Sequence, residues 1–318
     1  MRSQDYFKIT TLESSLNVQY SNNIPADVFT RSRDFGRSVA ENVWEYSKTD
    51  AFGHDKYNEA RPTDYVAKPG AGKWQPTPPG NQAAMFPYWG KARYFAIKEE
   101  DKTGRPPLAY SEDKKSYYYA QGLEVYNATI PQSFENQWIA EFWSDDVLGF
   151  TFSAPARWVA ILNQVLVKDN VNLEKAIMGA VKVGLALNDA SVAAWHSKYF
   201  YNVERPVTYI QKFIDPKWNV EPLTSTGFLK SAPSFPAYPS GHSTFGAAAA
   251  EALSQVFGYR YELTDRCHEG RTDFNGKPRP FNSFYEMAEE NGYSRIWLGV
   301  HWRMDCEEGI RMGYNIGR

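Results

Sequence analysis

Three short stretches of this chain carry side chains suited to gripping and transforming an oxyanion. In WHSKYFYNVERP, residues 195–206, Lys198 and Arg205 stand seven residues apart. That is two helical turns, so a helix through them would project both from one face, and Pro206 is expected to end it near Arg205. An ammonium and a guanidinium fork aimed the same way can bind a tetrahedral oxyanion, the arginine through two bonds. In AYPSGHSTFG, residues 237–246, Pro239, Ser240 and Gly241 make a sharp turn before an alanine-rich helical stretch. Ser240 suits the cap, with a hydroxyl that can also donate to a ligand. Gly241 lets a backbone N–H come close to an anion where the helix dipole favours negative charge, and His242 supplies proton transfer near neutral pH. In SRIWLGVHWRMD, residues 294–305, Arg295 falls near the end of one helix and Gly299 reads as its terminator. His301 and Asp305 are spaced i, i+4, so the carboxylate can hold one imidazole nitrogen and leave the other for a metal or for attack on phosphorus.

Each stretch alone has a plainer reading: a solvated basic stripe, a capped turn with an incidental histidine, a structural His–Asp pair. Together they gather one lysine, two arginines, a serine, a glycine N–H and two histidines in a chain whose net charge is only −2. That much positive charge calls for an anion to neutralise it.

The elements that must position these residues read as mostly helical. At 318 residues the chain can bury a substantial core, and its 42% apolar and 23% charged content is that of an ordinary globular protein. The near-neutral balance gives no electrostatic case for nucleic acid or an anionic membrane, and no uninterrupted apolar run approaches the ~18 residues that suggest a bilayer span. Residues 26–48 place Val28, Phe29, Phe35, Val39, Val43 and Trp44 at roughly helical spacing. From Arg61 to Pro107 the periodicity stops, because eight of the 19 prolines lie there and no long helix survives them. Trp74, Phe86, Tyr88 and Trp89 suggest that this segment is pinned to the protein as a wrap or a roof over a pocket. Helices are expected over 117–127, 132–144, 155–168, 172–202, 242–257, 284–298 and 302–314. The expectation is an all-α fold: a single helical domain over 1–318, with an N-terminal helix and Pro-rich wrap in 1–116 and a helical bundle carrying the site in 117–318. Cys267 and Cys306 are too few for a disulfide scaffold and are read either as one bridge or as two separate buried thiols. The start MRSQDYFKIT lacks the apolar core of a signal peptide, which leaves open both an intracellular protein and one exported by a signal outside this chain.

K-x6-R-P, then P-S-G-H, then S-R-x5-H-x3-D, in that order, resembles the signature shared by vanadium-dependent haloperoxidases and acid phosphatases of the type 2 phosphatidic acid phosphatase superfamily. The surrounding FPAYPSGHSTFG and SRIWLGVHWRMD are similar to the chloroperoxidase branch and its bacterial relatives. Trp195 and Phe235 match positions that line the halide site there. AEFWSDD resembles the segment whose aspartate pairs with the vanadate-binding arginines, with Asp146 the better match and Asp145 the fallback. WQPTPPGNQAAMFPYWGKARYF extends the likeness back to about Trp74.

The resemblance implies one vanadate per subunit, with His301 as its protein ligand through Nε2. Lys198, Arg205, Arg295, Ser240 and the Gly241 N–H would hold its oxygens, His242 would act as acid and base, Lys198 would help to polarise hydrogen peroxide, and Asp305 would orient His301. It implies small-molecule partners only: hydrogen peroxide, a halide (iodide, bromide or chloride) and an organic acceptor, with phosphate as a competing ligand. No nucleic acid or membrane partner is implied, and homo-oligomerisation stays open. The alternative activity is a soluble phosphatase with His301 as nucleophile; a non-catalytic oxyanion scavenger would not need two histidines.

Overall fold

A computed structural model describes residues 3–22, 24–145, 151–220 and 231–318 of the chain. It divides into a unit of residues 1–54 and a unit of residues 55–318.

The first unit is a helical pair, α1 (Ser3–Ser21) and α2 (Ala26–Lys48). Pro25 precedes α2, where its missing N–H costs nothing, and Arg37 of α2 donates to Glu13 of α1 at 2.7 Å. The helix expected over 26–48 is present, but its apolar stripe is not part of a core: no residue of α2 is buried.

The second unit is a bundle built around α6 (Leu173–Tyr201) and α8 (Gly241–Phe257). Before them come α3 (Tyr117–Thr129), α4 (Phe134–Phe142) and α5 (Ala154–Lys168), and between them α7 (Pro206–Phe213). The chain ends in α9 (Phe284–Trp297) and α10 (Arg303–Gly317). Ser116, Ser133, Asn172, Ser240 and Ser283 each accept a first-turn backbone N–H through the side chain, which is why these helices start where they do. By length and composition α6 could cross a bilayer, which a search for uninterrupted apolar runs misses. In this fold it is a core helix: residues 189–195 are all buried, and Asp189 accepts backbone N–H groups of Phe95, Ala96 and Ile97 at 2.7–3.1 Å. Those bonds, with Tyr199 to the Met85 carbonyl and Tyr201 to the Gly104 carbonyl, lay the Pro-rich segment along α6. The segment contains no α-helix, only short 3-10 turns.

Two elements differ from the sequence reading. A two-stranded antiparallel ribbon pairs β1 (Leu263–Asp265) with β2 (Arg279–Phe281); three-residue strands are too short to leave a periodic signal. The helix expected to reach Arg205 ends at Tyr201, because Asn202 adopts a left-handed conformation (φ 52°). Pro206 opens α7 and does not close α6. Lys198 and Arg205 therefore do not share a helix face.

Packing between α8 and α10 fixes the distance between two of the sequence blocks. Gly309, Gly313 and Gly317 lie at i, i+4 spacing on α10 and press on α8. A Cβ at Gly313 would sit 2.4 Å from the Thr244 carbonyl oxygen, and one at Gly309 would sit 2.7 Å from that of Ser240. Gly313→Ala is expected to lower stability by about 1–3 kcal/mol, the usual cost of overpacking, read by urea denaturation. An unchanged midpoint would show that the helices can separate freely.

Candidate active site

Ser240 is the joint of the site. Its N–H donates to the Asp305 carbonyl at 2.9 Å, and its hydroxyl accepts the Ser243 N–H at 3.3 Å. The PSGH turn is thereby fastened to the start of α10 and at the same time caps α8. The first amides of an α-helix have no carbonyl partner within it, so the N-terminus of α8 at Gly241 and His242 is a ready cradle for an anion. His242 is 5% exposed, and Asn291 of α9 donates to its carbonyl at 3.2 Å.

His301 stands opposite. It lies not on α10 but two residues before it, after Gly299 (φ 74°) has turned the chain out of α9. Its Nδ1 is 2.8 Å from Asp305 Oδ2, which also accepts the Trp302 N–H at 3.0 Å and so closes the first turn of α10. Arg205 Nη1 is 3.1 Å from Nε2 of the same ring. A guanidinium has only donors to offer, so Nε2 presents its lone pair and Nδ1 carries the proton to Asp305. Burial holds this imidazole well below its ordinary pKa, with the charges of Arg205, Lys198, Arg295 and His242 adding to the effect. These surroundings favour the neutral ring that a metal ligand must be, and four cationic or ionisable groups act on it.

The cations are themselves held. Lys198 is fully buried, and its ammonium donates to the carbonyls of Pro236, Ala237 and Pro239 at 2.5–3.0 Å. These bonds fasten Lys198 to the turn that leads into Ser240. Arg205 Nε donates to the Phe235 carbonyl at 3.0 Å and Nη1 to that of Val300 at 2.8 Å. Arg295 donates to the Trp143 carbonyl at 3.1 Å. The Phe235 ring lies 5.1 Å from Lys198 Nζ and 4.9 Å from the Arg205 guanidinium, and 5.1 Å from the ring of Trp195. Asp146 lies outside the described residues. Asp145, the fallback, faces Arg157 at 3.5 Å. Cys267 and Cys306 are both free thiols, the second fully buried.

Three comparisons meet this geometry. Residues 179–318 match the family model described as "VCPO second helical-bundle domain". The vanadium chloroperoxidase of Curvularia inaequalis is 24% identical over 278 residues, 69% of this chain and 46% of that protein, so the chain spans about half the length of this curated relative. A crystal structure described as the first bacterial vanadium-dependent iodoperoxidase superposes with a TM-score of 0.84 at 29% identity, covering 100% of this chain and 74% of the other. The chain is similar to the vanadium-dependent haloperoxidases, over residues 179–318 by the family model and over its whole length in fold. A holo-type bacterial vanadium-dependent chloroperoxidase shares the haloperoxidase fold at a TM-score of 0.69 and 17% identity, over 89% of this chain and 70% of that one.

Two buried charged residues near these blocks left no mark in the sequence. Arg157 of α5 is fully buried; it donates to Asp265 at 2.7 Å and contacts His268 and the Phe142 carbonyl. Nothing in APARW suggests this, because Asp265 and His268 lie about 110 residues on. Glu204, beside Arg205, is buried under Tyr118, and burial pushes its carboxyl up to about 7. Since its folded pKa exceeds the ordinary 4.5, ionisation costs stability: nothing below pH ~4.5, progressively more to pH ~7, and the full amount above, at most about 3 kcal/mol. Glu204→Gln is expected to raise Tm relative to the parent protein at pH 8 and to leave it unchanged at pH 4.5. An equal shift at both pH values would refute the assignment.

Proposed function

We propose that this chain is a vanadate-dependent haloperoxidase, which oxidises halide with hydrogen peroxide to hypohalous acid or an equivalent halogenating species. The observation that carries the reading is the buried His301, with Nδ1 2.8 Å from Asp305 Oδ2 and Nε2 3.1 Å from Arg205 Nη1. This donor set fits a single-histidine vanadate site: one neutral nitrogen for the metal, and cations and helix N–H groups for its oxygens. When bound, vanadate supplies a Lewis acid that activates peroxide toward halide without changing oxidation state.

The protein's part is electrostatic and positional. His301 offers Nε2, and Asp305 keeps the ring in the tautomer that exposes it. Arg205 and Arg295, the Ser240 hydroxyl and the Gly241 N–H orient the oxygens, while Lys198 contributes charge from inside its carbonyl cage. His242 would act as the acid and base of the site, accepting and returning a proton at a ring nitrogen. Trp195 and Phe235 line the approach of halide. Hydrogen peroxide, a halide and an organic acceptor are the substrates, and phosphate competes because it shares vanadate's shape and charge.

The test is direct. Vanadate-free protein is given orthovanadate, hydrogen peroxide and each halide in turn, and halogenation of a phenol-dye acceptor is followed. Vanadate-dependent turnover of at least one halide, inhibited by phosphate, is expected. No turnover with any halide, together with hydrolysis of a phosphomonoester by the vanadate-free protein, would replace the reading with the phosphatase.

A further inference from the structure

α2 carries an apolar face on which no residue is buried. Val28, Phe35, Val39, Val43 and Tyr46 follow one another at steps of three, four and seven residues, so they share one side of the helix. Phe35 is 73% exposed and Val43 62%. α1 does not cover this side: Arg37, whose bond to Glu13 ties α2 to α1, sits on the opposite side at 3.6 residues per turn. A helix in a protein draws most of its stability from packing such a face, so an uncovered one calls for a partner. Gly36, at the edge of the stripe, points the same way. A Cβ there would meet nothing within 4 Å, so no contact within the chain requires a glycine in mid-helix, where it weakens the helix. A second helix laid close against the stripe would.

The charges of α2 select that helix. Arg31, Arg33 and Arg37 outnumber Asp27 and Asp34 in its first half, whereas Glu41 and Glu45 outnumber Lys48 in its second. Laid antiparallel on a copy of itself, α2 sets its basic half against an acidic one. A two-fold axis at Val39 puts that residue on its counterpart and Phe35 on Val43 of the partner subunit, each contact occurring twice as an isologous interface requires. Arg31 and Glu45 flank the stripe along the same edge, so this register brings Arg31 near Glu45 of the partner subunit. Their pairs within the chain, Arg31 with Asp27 at 3.2 Å and Lys48 with Glu45 at 2.6 Å, are exposed and hold them weakly. At these exposures the two stripes offer roughly 1,000 Å² together, about what a specific interface needs.

We propose that α2 is a homodimer interface, its Phe35–Val39–Val43 face pairing antiparallel with the same face of a second copy of this chain. The pairing does not depend on the chemistry of the oxyanion site.

Sedimentation equilibrium of the intact chain tests it and should give a dimer. Val39→Glu sets two carboxylates face to face on the axis and should weaken association by at least about 100-fold. Glu45→Arg alone sets an arginine against Arg31 and should weaken it by about tenfold. Adding Arg31→Glu to Glu45→Arg should restore the parent affinity, which a misfolded single variant would not allow. Val181→Glu, on the separate exposed apolar side of α6 that includes Ile177, should leave the dimer intact. A monomeric parent protein overturns the proposal, as does a dimer that survives Val39→Glu or is lost in Val181→Glu. Failure of the charge exchange to restore association overturns the antiparallel pairing.

Discussion

His301→Ala is expected to abolish orthovanadate binding and to reduce halide oxidation to background. The residue supplies the imidazole nitrogen that Asp305 and Arg205 hold in place, whereas His242, the other imidazole of the site, sits on α8. Removing an outer partner of a metal-ligating histidine typically costs 10–100-fold in affinity, and loss of the ligand itself should exceed that. Asp305→Asn should show the smaller effect, since an amide still meets the ring but no longer dictates which nitrogen is protonated. Calorimetric titration with orthovanadate separates these outcomes from misfolding, because the parent protein and both variants can be compared at equal Tm-corrected folded fraction. Unchanged turnover in His301→Ala would end the assignment.

The largest stability effect is expected at Arg157→Met. The guanidinium is fully buried, donating to Asp265 and facing Asp145, both carboxylates being buried as well. The rings of Phe142 and Trp143 lie 4.7 and 4.9 Å from it. Removing one member of a buried charge cluster strands the others, at a typical cost of about 3–5 kcal/mol. The loss should appear as a lower urea midpoint. It should also weaken orthovanadate binding, because the turn gripped by Arg157 through the Phe142 carbonyl is the turn whose Trp143 carbonyl holds Arg295. Arg157→Lys keeps the charge but cannot reach both carboxylates and the carbonyl, so an intermediate loss is expected. A stable Arg157→Met protein would mean that the two acids are neutral in the fold.

The helices were legible where local rules decide them. Ser240 before an alanine-rich run and Gly299 after α9 are short-range signals, and the structure has helix ends at these places. The reading failed where a local rule was silent or had two solutions. Pro206 was equally able to end one helix or begin the next, and the left-handed Asn202 selected the second. The apolar stripe of α2 has helical spacing without burial, since periodicity reports a face and not what covers it.

By itself the sequence determined the chemistry on offer: two histidines, three cations and a capped glycine turn in a fixed order, enough to name an oxyanion and a family. Only the tertiary structure decided how those groups are used. The proton on His301 is assigned by Arg205 and Asp305 together, Lys198 is caged by carbonyls of a turn about 40 residues away, and Trp89 reaches Trp195 across more than 100 residues. Contacts at such separations depend on the packing of whole helices, and spacing along a chain carries no record of them.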